Sequence, residues 1–578
     1  MKLKTILTLL AALGILTACN DDFFDQVPDD RITIEQVFQR TSYSEKYLAT
    51  VYSYIRDESH RTDGVPWDPC SDDLDVTYDR EDYNSFKMNL GNWSASSNYY
   101  EYWSHYYRGI RSATYFIQHI GSNQEMLDDP TRGPIVVEQY KNEARFLRAF
   151  YYFNLVECWG DVPFKTVSTQ SVTNLNIPRT DKQEIYDFIV SEMADAAETG
   201  LKSASDLAYK PGRISQSTAW GILARVYLFR AGEHYREGRN ATQAEKKDYF
   251  ERASFYAQKV MTAGHKLAAN YWDPFIDMCS DKYNTTANES IWEAEFAGNN
   301  TSDTQAEGRI GNIIGLAGPD LSSKSDVTGA KDPGYGYAFI YSTPKLYNLY
   351  VNNGDTKRFN WSIAPFEYKE AGGKNTGVTH REFEQGKLAE VMSQYGQQRG
   401  TYQYADDTEK TTATKNFSRM CGKYRREYEA DKKDKNYTSI NFPILRYADV
   451  LLMIAEAENE ANNGPTTLAY QCMKEVRERA GLNELPDMTQ EEFRQTVKDE
   501  RAMELCFEYT RRFDLIRWGE YVKNMRALVT EAQSGNNWTQ GPTNVYTYFN
   551  ISSTYNYFPI PDAEMSVNKD ITQNNPGW

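Results

Sequence analysis

Residues 143–163 of the chain, EARFLRAFYYFNLVECWGDVP, decide the class of fold. This stretch lies in a helix that the sequence predicts over residues 136–159, and Gly160 to Pro163 end it because glycine and proline rarely continue a helix. Cys158 lies inside the same helical pattern and is predicted to be a small core residue. The chain continues in predicted helices on both sides of this one.

Several of these helices begin with capping residues. Thr33 and Gln36 form a capping-box pattern, Asp181 is a predicted N-cap, and Ser215 precedes apolar residues at spacings of three and four. The predicted helices cover residues 37–55, 99–120, 136–159, 181–199, 215–229, 245–263, 447–462, 466–480, 490–507 and 511–531.

The helices come in antiparallel-looking pairs of about 35–45 residues, as in helical-repeat arrays, although the strict tetratricopeptide sequence pattern is absent. Over residues 271–443 the helical period disappears, and short strand-like pieces contain Trp292 and Trp361, which are predicted to be core residues. A structureless insert of this length is implausible, so a loop-rich subdomain packed on the helices is predicted.

The first residues follow the pattern of a bacterial lipoprotein signal. Lys2 and Lys4 precede an apolar run over residues 6–16 that is too short to span a bilayer, and small residues precede Cys19. Acyl chains on Cys19 would anchor the protein stably, since each buried CH₂ contributes about 0.8 kcal/mol. The alternative is a secreted protein with an incidental cysteine. The acidic run at 20–25 resembles an export signal to the cell exterior, or is a solvated linker.

The predicted organisation therefore has six segments. They are a signal peptide at 1–18, a lipidated acidic linker at 19–30, an N-terminal helical scaffold at 31–270 with an early ligand loop at 59–98, a loop-rich subdomain at 271–443, a C-terminal helical scaffold at 444–531, and an irregular segment at 532–578.

Composition excludes several classes of partner and site. A formal charge of −17 argues against nucleic acid, which needs a basic surface, and equally against binding through anionic lipid headgroups. The seven cysteines form no CxxC pair and no zinc spacing with histidine, so those after Cys19 are predicted to be mostly free and buried.

Chemistry for catalysis is not evident. The sequence lacks GxSxG, P-loop, dinucleotide-binding and HExxH motifs, so a non-enzymatic protein without a cofactor is expected. Carboxylate pairs that a glycosidase would need occur by chance in so acidic a chain. Asp72, Asp73, Asp75 and Asp79 offer the oxygen ligands that structural calcium prefers, but they lack the spacing of an EF-hand, and a solvated acidic loop is favoured.

Several motifs, in a fixed order, resemble those of the SusD/RagB family of nutrient-binding outer-membrane lipoproteins. The resemblance covers essentially the whole mature chain. The motifs are Cys19 with its acidic run, 143–149 with Tyr151-Tyr152 and 159–163, 442–452, 476–481, Asp499-Glu500-Arg501 with Glu504, 512–519, and 557–561. Their arginines and acids are predicted to form ion pairs on or between helices, not to contact ligand.

The resemblance implies a mainly α fold: a right-handed superhelical scaffold of about four tetratricopeptide-like helix pairs with a loop-rich, irregular subdomain. It implies capture of oligosaccharide or polysaccharide at the cell surface and delivery to a SusC-like TonB-dependent β-barrel transporter, on which the protein sits as a lid. RagB-like members of similar fold handle peptides, and a peptide ligand stays an alternative.

Aromatic residues, at 14% of the chain, supply the candidate ligand surface. Most are expected to pack between helices, but aromatic faces also stack on the apolar C–H faces of sugars. Loops on a rigid scaffold are the expected place for such rings. The candidates are Trp67, Asp73, Arg80 and Trp93 in the early loop, with Trp93 the first choice for stacking, and Tyr335 and Tyr337 in the middle of the chain, where glycines are expected to expose the rings.

Overall fold

The stretch 143–163 forms the predicted helix and ends where expected. In the computed structural model the helix spans Gly133–Trp159, and Gly160 follows it with a φ of +70°, a left-handed conformation that favours glycine. The structure describes residues 34–55, 74–76, 95, 100–128, 133–169, 171, 173, 175–232, 241–297, 308–320, 334–364, 366–370, 400–404, 419–429, 434–533 and 551–578.

Helices fill the N-terminal half of the described chain, which confirms the mainly α prediction. They are α1 (Ile34–Val37), α2 (Thr41–Ser53), α3 (Tyr100–His119), α4 (Gln124–Leu127), α5 (Gly133–Trp159), α6 (Lys182–Thr199), α7 (Gln216–Ala231) and α8 (Gln243–Met261). The side chain of Asp181 accepts a hydrogen bond from Gln183 N at the start of α6, and Ser215 forms a capping box with Thr218 at the start of α7, as predicted. Thr33 lies outside the described residues.

Helix α5 is buried along most of its length and holds the end of the chain. The Nε1 of Trp159 donates to Pro559 O at 3.0 Å, and the Trp159 ring packs edge-on against Trp103 and Phe558. Asn575 Nδ2 donates to Trp159 O at 3.0 Å. The C-terminal segment, which includes a 3-10 turn at Ser553–Asn556 and α18 (Asp562–Val567), is therefore fixed to the N-terminal scaffold.

The middle of the chain contains both short helices and short strands, so the helical period does not vanish there as the sequence indicated. The helices are α9 (Asp273–Cys279), α10 (Ile310–Ile313), α11 (Pro344–Asn353) and α12 (Thr356–Ser362). Trp292 is buried in a strand, as predicted. Trp361 is also buried, but it lies in α12 because Thr356 to Ser362 follow an Asp355 N-cap.

The strands form one small sheet and three pairs. They are β1 (Leu74–Val76), β2 (Val162–Pro163), β3 (Arg179–Thr180), β4 (Ser290–Ala294), β5 (Ile340–Ser342), β6 (Ile363–Ala364), β7 (Phe366–Glu370), β8 (Gly400–Tyr404), β9 (Met420–Cys421) and β10 (Phe442–Arg446). The four-stranded sheet has the order β1-β5-β9-β6, and the pairs are β10-β4, β2-β3 and β7-β8. All ladders are antiparallel.

Helices return after β10. They are α13 (Tyr447–Ala461), α14 (Thr467–Arg479), α15 (Gln490–Leu505), α16 (Arg511–Arg517) and α17 (Tyr521–Gln533). The predicted helix over 511–531 is wrong as a single element, because Gly519 takes a φ of +72° and separates α16 from α17. The five cysteines in the described residues are free and buried, as predicted.

A buried cluster of ion pairs joins the middle of the chain to the C-terminal helices. One oxygen of Glu504 on α15 accepts from Arg446 at the end of β10, 3.2 Å away, and from Arg479 at the end of α14. The other oxygen accepts from Arg358 on α12 at 3.0 Å. Four segments far apart in sequence thus meet at one carboxylate.

Further acids complete this cluster around the arginines. Arg358 also contacts Asp355 at 2.5 Å and Glu500 at 2.6 Å, and Arg446 contacts Glu508 at 2.7 Å. The side chains of Arg358, Arg446 and Glu504 are completely buried. Burying a charge is costly unless its partners are also present, so the members of this cluster depend on one another.

The arginines of the family motifs form ion pairs, some with acids close to them in sequence and others with acids on other helices. Arg517 pairs with Asp514 on the same helix at 2.7 Å, as predicted. Arg145 and Arg148 pair with Glu192 on α6, at 2.8 and 2.6 Å, and not with Glu143. Arg501 pairs with Asp449 and Asp514, each at 2.7 Å. The pairs of Arg145, Arg148 and Arg501 join different helices, which confirms the alternative of inter-helix clamps.

The arginine cluster also fixes the charge of Glu504. Burial alone raises the pKa of this carboxyl, but the charges of Arg479, Arg446 and Arg358 outweigh burial and lower the pKa to about 2. A glutamate in the unfolded chain has a pKa of about 4.3. The stabilisation is therefore present above roughly pH 4.3 and is lost as the pH falls towards 2.

We expect Glu504→Ala to lower the free energy of unfolding by about 3–5 kcal/mol, because three buried guanidinium groups lose their shared partner. Urea unfolding followed by circular dichroism measures this change. Lys474→Ala is the control: Lys474 pairs with Glu478 on the surface, at 46% and 57% exposure, and should cost at most about 1 kcal/mol. Equal losses for the two variants would contradict the role given to the cluster.

Candidate functional site

The sequence candidates divide into two groups. Cys19, Trp67, Asp73, Arg80 and Trp93 lie outside the described residues. Tyr335 and Tyr337 are described, and both are half-buried, so their rings present part of their surface to solvent.

Strand β1 brings the early loop segment to the middle of the chain. It pairs with β5 in the register Leu74 to Ser342, Asp75 to Tyr341 and Val76 to Ile340. The two segments that the sequence indicates as ligand loops therefore share one sheet, although more than 200 residues separate them in the chain. Tyr335 and Tyr337 lie directly before β5.

Three rings form a continuous surface here, which we call the mid-chain platform: Tyr335, Tyr337 and Phe339. The Tyr335 and Tyr337 rings meet edge-on with centroids 4.8 Å apart, and the Tyr337 and Phe339 rings are nearly parallel, 4.9 Å apart and inclined by 12°. The sequence candidates omitted Phe339. Its signal was the alternation of rings with small or aliphatic residues from 335 to 341, since alternate residues of an extended chain share a face.

Backbone hydrogen bonds hold the platform in place. Tyr337 N donates to Asn312 O at 2.7 Å, and Phe339 N donates to Ile313 O at 2.8 Å. Tyr335 O accepts from Asn312 Nδ2 at 3.2 Å and from Arg426 Nη1 at 2.8 Å. Since Asn312 and Arg426 are buried, the platform rests on a rigid base.

Two glycines, Gly334 before the first ring and Gly336 between the first two, allow a close approach of backbones, a role beyond the exposure of rings that the sequence indicated. A Cβ on Gly336 would lie 2.0 Å from Leu316 O. Gly334 has a φ of +79°, and its Cβ would lie 2.5 Å from the Cβ of Arg426. The segment can therefore sit directly on residues 316–318 while its rings face the other way.

An ion pair borders the platform. Lys435 Nζ lies 3.0 Å from Asp320 Oδ2 and 5.2 Å from the centre of the Tyr335 ring, and the Lys435 side chain is 46% exposed. Partial burial, followed by the neighbouring Tyr337, raises the pKa of Tyr335, so the phenol stays neutral at physiological pH. The site thus offers apolar ring surface beside a charged donor and a charged acceptor, which suits a neutral polyol ligand.

A separate groove of about 730 Å³ lies among α7, α8, α13, α15 and α16. Its wall charges bind one another: Arg494 Nε donates to Glu460 at 2.6 Å, and Lys498 donates to Glu520 at 2.8 Å. We place the candidate site at the mid-chain platform instead, because there three contacting rings lie beside a partly exposed ion pair.

Two features are absent from the part of the chain that the structure describes. Those residues contain no group of three or more His, Cys, Asp or Glu side chains placed to hold a metal ion. Among the same residues, no helix combines the length and the hydropathy of a membrane span. The calcium hypothesis for Asp72, Asp73 and Asp79 falls outside the described residues.

Comparison with known proteins defines the family. The sequence model of the SusD family matches residues 288–578, and a second family model, described as starch-binding and associating with the outer membrane, matches residues 22–228. The chain belongs to the SusD family, which confirms the resemblance. It is 24% identical to SusD-like protein P2 of Formosa agariphila over 509 residues, covering 86% of this chain and 84% of that protein.

Solved structures share the fold. A SusD homolog from Bacteroides thetaiotaomicron superposes with a TM-score of 0.75 at 23% identity, covering 96% of this chain and 100% of the other. A laminarin-binding SusD-like protein superposes with a TM-score of 0.63 at 20% identity, covering 94% of this chain and 100% of the other. At these identities the likeness concerns the fold.

We expect Gly336→Ala to unfold at lower urea than Gly354→Ala. The first change forces a Cβ against the backbone of Leu316, whereas a Cβ on Gly354 meets nothing within 4 Å and only the φ of +67° is unfavourable. Holding an alanine at this left-handed φ costs about 1–2 kcal/mol. Hydrogen exchange should also rise at residues 335–339 in Gly336→Ala alone. Equal exchange in both variants would show that the platform does not depend on this approach.

Proposed function

We propose that this protein is a surface-exposed glycan-binding lipoprotein that captures oligosaccharide and delivers it to a SusC-like TonB-dependent outer-membrane transporter. The observation that carries the proposal is the mid-chain platform, three half-buried rings beside an exposed ion pair on a rigid base. Aromatic rings stack on the C–H faces of sugars, and charged groups form strong hydrogen bonds with hydroxyls. Family membership supports the same ligand class.

The relatives support a carbohydrate ligand in particular. The family model that matches the N-terminal part is described as starch-binding, and one structural neighbour is named for binding laminarin. Both ligands are neutral glucans. A neutral ligand suits a protein whose formal charge is −17, because an anionic ligand would be repelled by the overall field.

The early loop is proposed to complete the site. The pairing of Asp75 with Tyr341 supports this, because it places residues 74–76, which belong to the predicted loop at 59–98, beside the segment that continues from the platform. In this proposal Trp93 adds a stacking ring, while Asp73 and Arg80 hydrogen-bond sugar hydroxyls.

The proposed role is binding without catalysis. Glycoside hydrolysis needs two carboxyl groups about 5–10 Å apart on either side of the scissile bond. The ion pair beside the platform supplies one carboxylate, Asp320. No bound cofactor is needed for capture and release.

We expect Tyr337→Ala to weaken glycan binding by about 1–3 kcal/mol, because Tyr337 contacts both other rings. This loss corresponds to roughly fivefold to 140-fold in Kd. The soluble form starting at Asn20 is first screened against starch, laminarin and xyloglucan in native gels, and the ligand found is then titrated by calorimetry.

Tyr470→Ala is the matched control for this experiment. Tyr470 is a half-buried tyrosine on α14 that packs against Phe493, away from the platform rings. Unchanged affinity in Tyr337→Ala would remove the platform from the site. Retardation by no glycan, together with binding of peptide mixtures, would favour the RagB-like peptide alternative.

Anchoring is tested by Cys19→Ala, which should move the protein from the membrane fraction to the soluble fraction, because no residue would then accept the lipid. Cys70→Ala is the control and should stay with the membrane.

Surface exposure and the partner are tested with the wild-type protein. Protease added to intact cells should cleave it, and affinity purification from detergent should recover a TonB-dependent transporter with it. In the fractionation experiment, retention of Cys19→Ala in the membrane fraction would contradict lipidation at Cys19.

A further inference from the structure

Phe255 on α8 is unusual among the aromatic side chains. It is 54% exposed, whereas every other Phe, Tyr or Trp side chain that the structure describes is buried or half-buried. The other large apolar side chains found exposed are aliphatic: Ile135, Val167, Leu175, Val351 and Val567. A phenyl ring exposed to water lacks the roughly 1.5–3 kcal/mol of favourable free energy that burial would give, which makes the surroundings of Phe255 a candidate interaction surface.

Phe255 is the outermost member of a row of rings along α7 and α8. It meets Tyr256 edge-on with centroids 5.2 Å apart, and Tyr256 is parallel to Tyr227 within 9° at 5.8 Å. Tyr227 in turn lies 6.2 Å from Tyr249. Trp220 and Tyr227 are seven residues apart on α7, as are Tyr249 and Tyr256 on α8, so each pair lies on one face of its helix. We call these five rings, Phe255 included, the scaffold strip: Trp220, Tyr227, Tyr249, Phe255 and Tyr256.

Cations lie over the rings of the scaffold strip. Lys259 Nζ is 4.9 Å from the centre of the Trp220 ring and 5.4 Å from that of Phe255. Arg252 lies 5.9 Å from the Tyr227 ring, and Arg230 lies 4.5 Å from the Tyr249 ring.

Each of these cations is paired with an acid. Lys259 contacts Glu198 at 2.5 Å and Arg230 contacts Asp187 at 2.7 Å, both across to α6, and Arg252 contacts Asp248 at 2.8 Å. The acid side chains are 52–72% exposed, so their free oxygens face solvent. The strip is therefore locally neutral but rich in charged donors and acceptors.

We propose that the scaffold strip is a second glycan-binding surface, which takes neutral oligosaccharide or polysaccharide chains independently of the mid-chain platform. This inference rests on the proposed function, because both surfaces take the same class of ligand. The exposed Phe255 ring and the half-buried Trp220 and Tyr256 rings meet the C–H surface of the sugar. The exposed carboxylates and the Lys259 and Arg252 side chains meet its hydroxyls.

The charge balance favours a glycan over a protein partner. Protein interfaces have a core from which charged residues are depleted, whereas here an ion pair accompanies the rings along the whole strip. An apolar helix docked on the strip would bury Asp187 and Glu198 away from water, which is costly. A sugar chain leaves such groups hydrogen-bonded and carries no charge that either sign would repel.

A second surface changes how the protein handles polymers. Two linked contacts on one chain raise the effective concentration at the second surface, so a polymer is held more tightly than either contact alone allows. A short oligosaccharide occupies one surface at a time and gains nothing from the pair. Discrimination of long from short chains would then be a property of this scaffold.

The test uses the soluble form from Asn20 with starch, laminarin and xyloglucan in native gels. We expect Phe255→Ala to weaken polysaccharide retardation about threefold to tenfold in apparent Kd, the range of a single rim ring. In the Tyr337→Ala background, it should remove the binding that remains. Phe255→Tyr keeps the ring and should bind normally, and Ile135→Ala, at 73% exposure, is the matched control without effect.

The outcomes separate the two proposals. If Tyr337→Ala weakens retardation by polysaccharide and Phe255→Ala changes it in neither background, the scaffold strip is not a binding surface and the platform proposal stands. If Phe255→Ala weakens retardation and Tyr337→Ala does not, the strip is supported as a binding surface and the platform proposal is rejected. If the wild-type protein is retarded by no glycan, both proposals fail. Thermal unfolding of Phe255→Ala should match the wild type, since an exposed ring contributes little packing.

Discussion

The carboxylate of Glu504, buried among three guanidinium groups, is the interaction on which the arrangement of the chain depends. It collects Arg358, Arg446 and Arg479 from three segments, and none of these charges is tolerable in a dry interior without the others. Hydrophobic contacts are non-directional and would accept many relative positions of the same helices. Bidentate and shared ion pairs have fixed geometry, so they specify one position. The buried helices give the stability, and this cluster gives the register in which the loop-rich middle meets the scaffold.

That register determines the ligand surface. Arg446 closes β10, and Arg358 lies on α12, directly before β6 in the four-stranded sheet. The same sheet contains β5, and the platform segment leads into it. The buried Glu504 cluster therefore positions the four-stranded sheet, and the sheet positions the half-buried rings of the platform. The buried base provided by Asn312 and Arg426 keeps those rings ordered before ligand arrives, which reduces the entropy lost on binding.

The two ring surfaces show how aromatic residues serve packing and recognition in one chain. Tyr227 is buried and supports the scaffold, yet it is continuous with Tyr256 and the exposed Phe255. At the platform, Phe339 supports Tyr337 in the same way. In both places a buried or half-buried ring orients an outer one, and an ion pair beside the rings keeps the surface polar. The charged groups keep such surfaces hydrated when no ligand is bound.

Local spacing and an ordered set of motifs were enough to predict most helices outside residues 271–443, the caps at Asp181 and Ser215, the burial of the cysteines that are described, and the family. The sequence did not reveal the partner of Arg145, which is Glu192 and not Glu143, because the packing of two helices creates that contact. The pairing of β1 with β5, the break at Gly519 and the exposure of Phe255 were likewise decided by tertiary structure. All of these depend on contacts between residues distant in the chain, for which a single sequence carries no local signal.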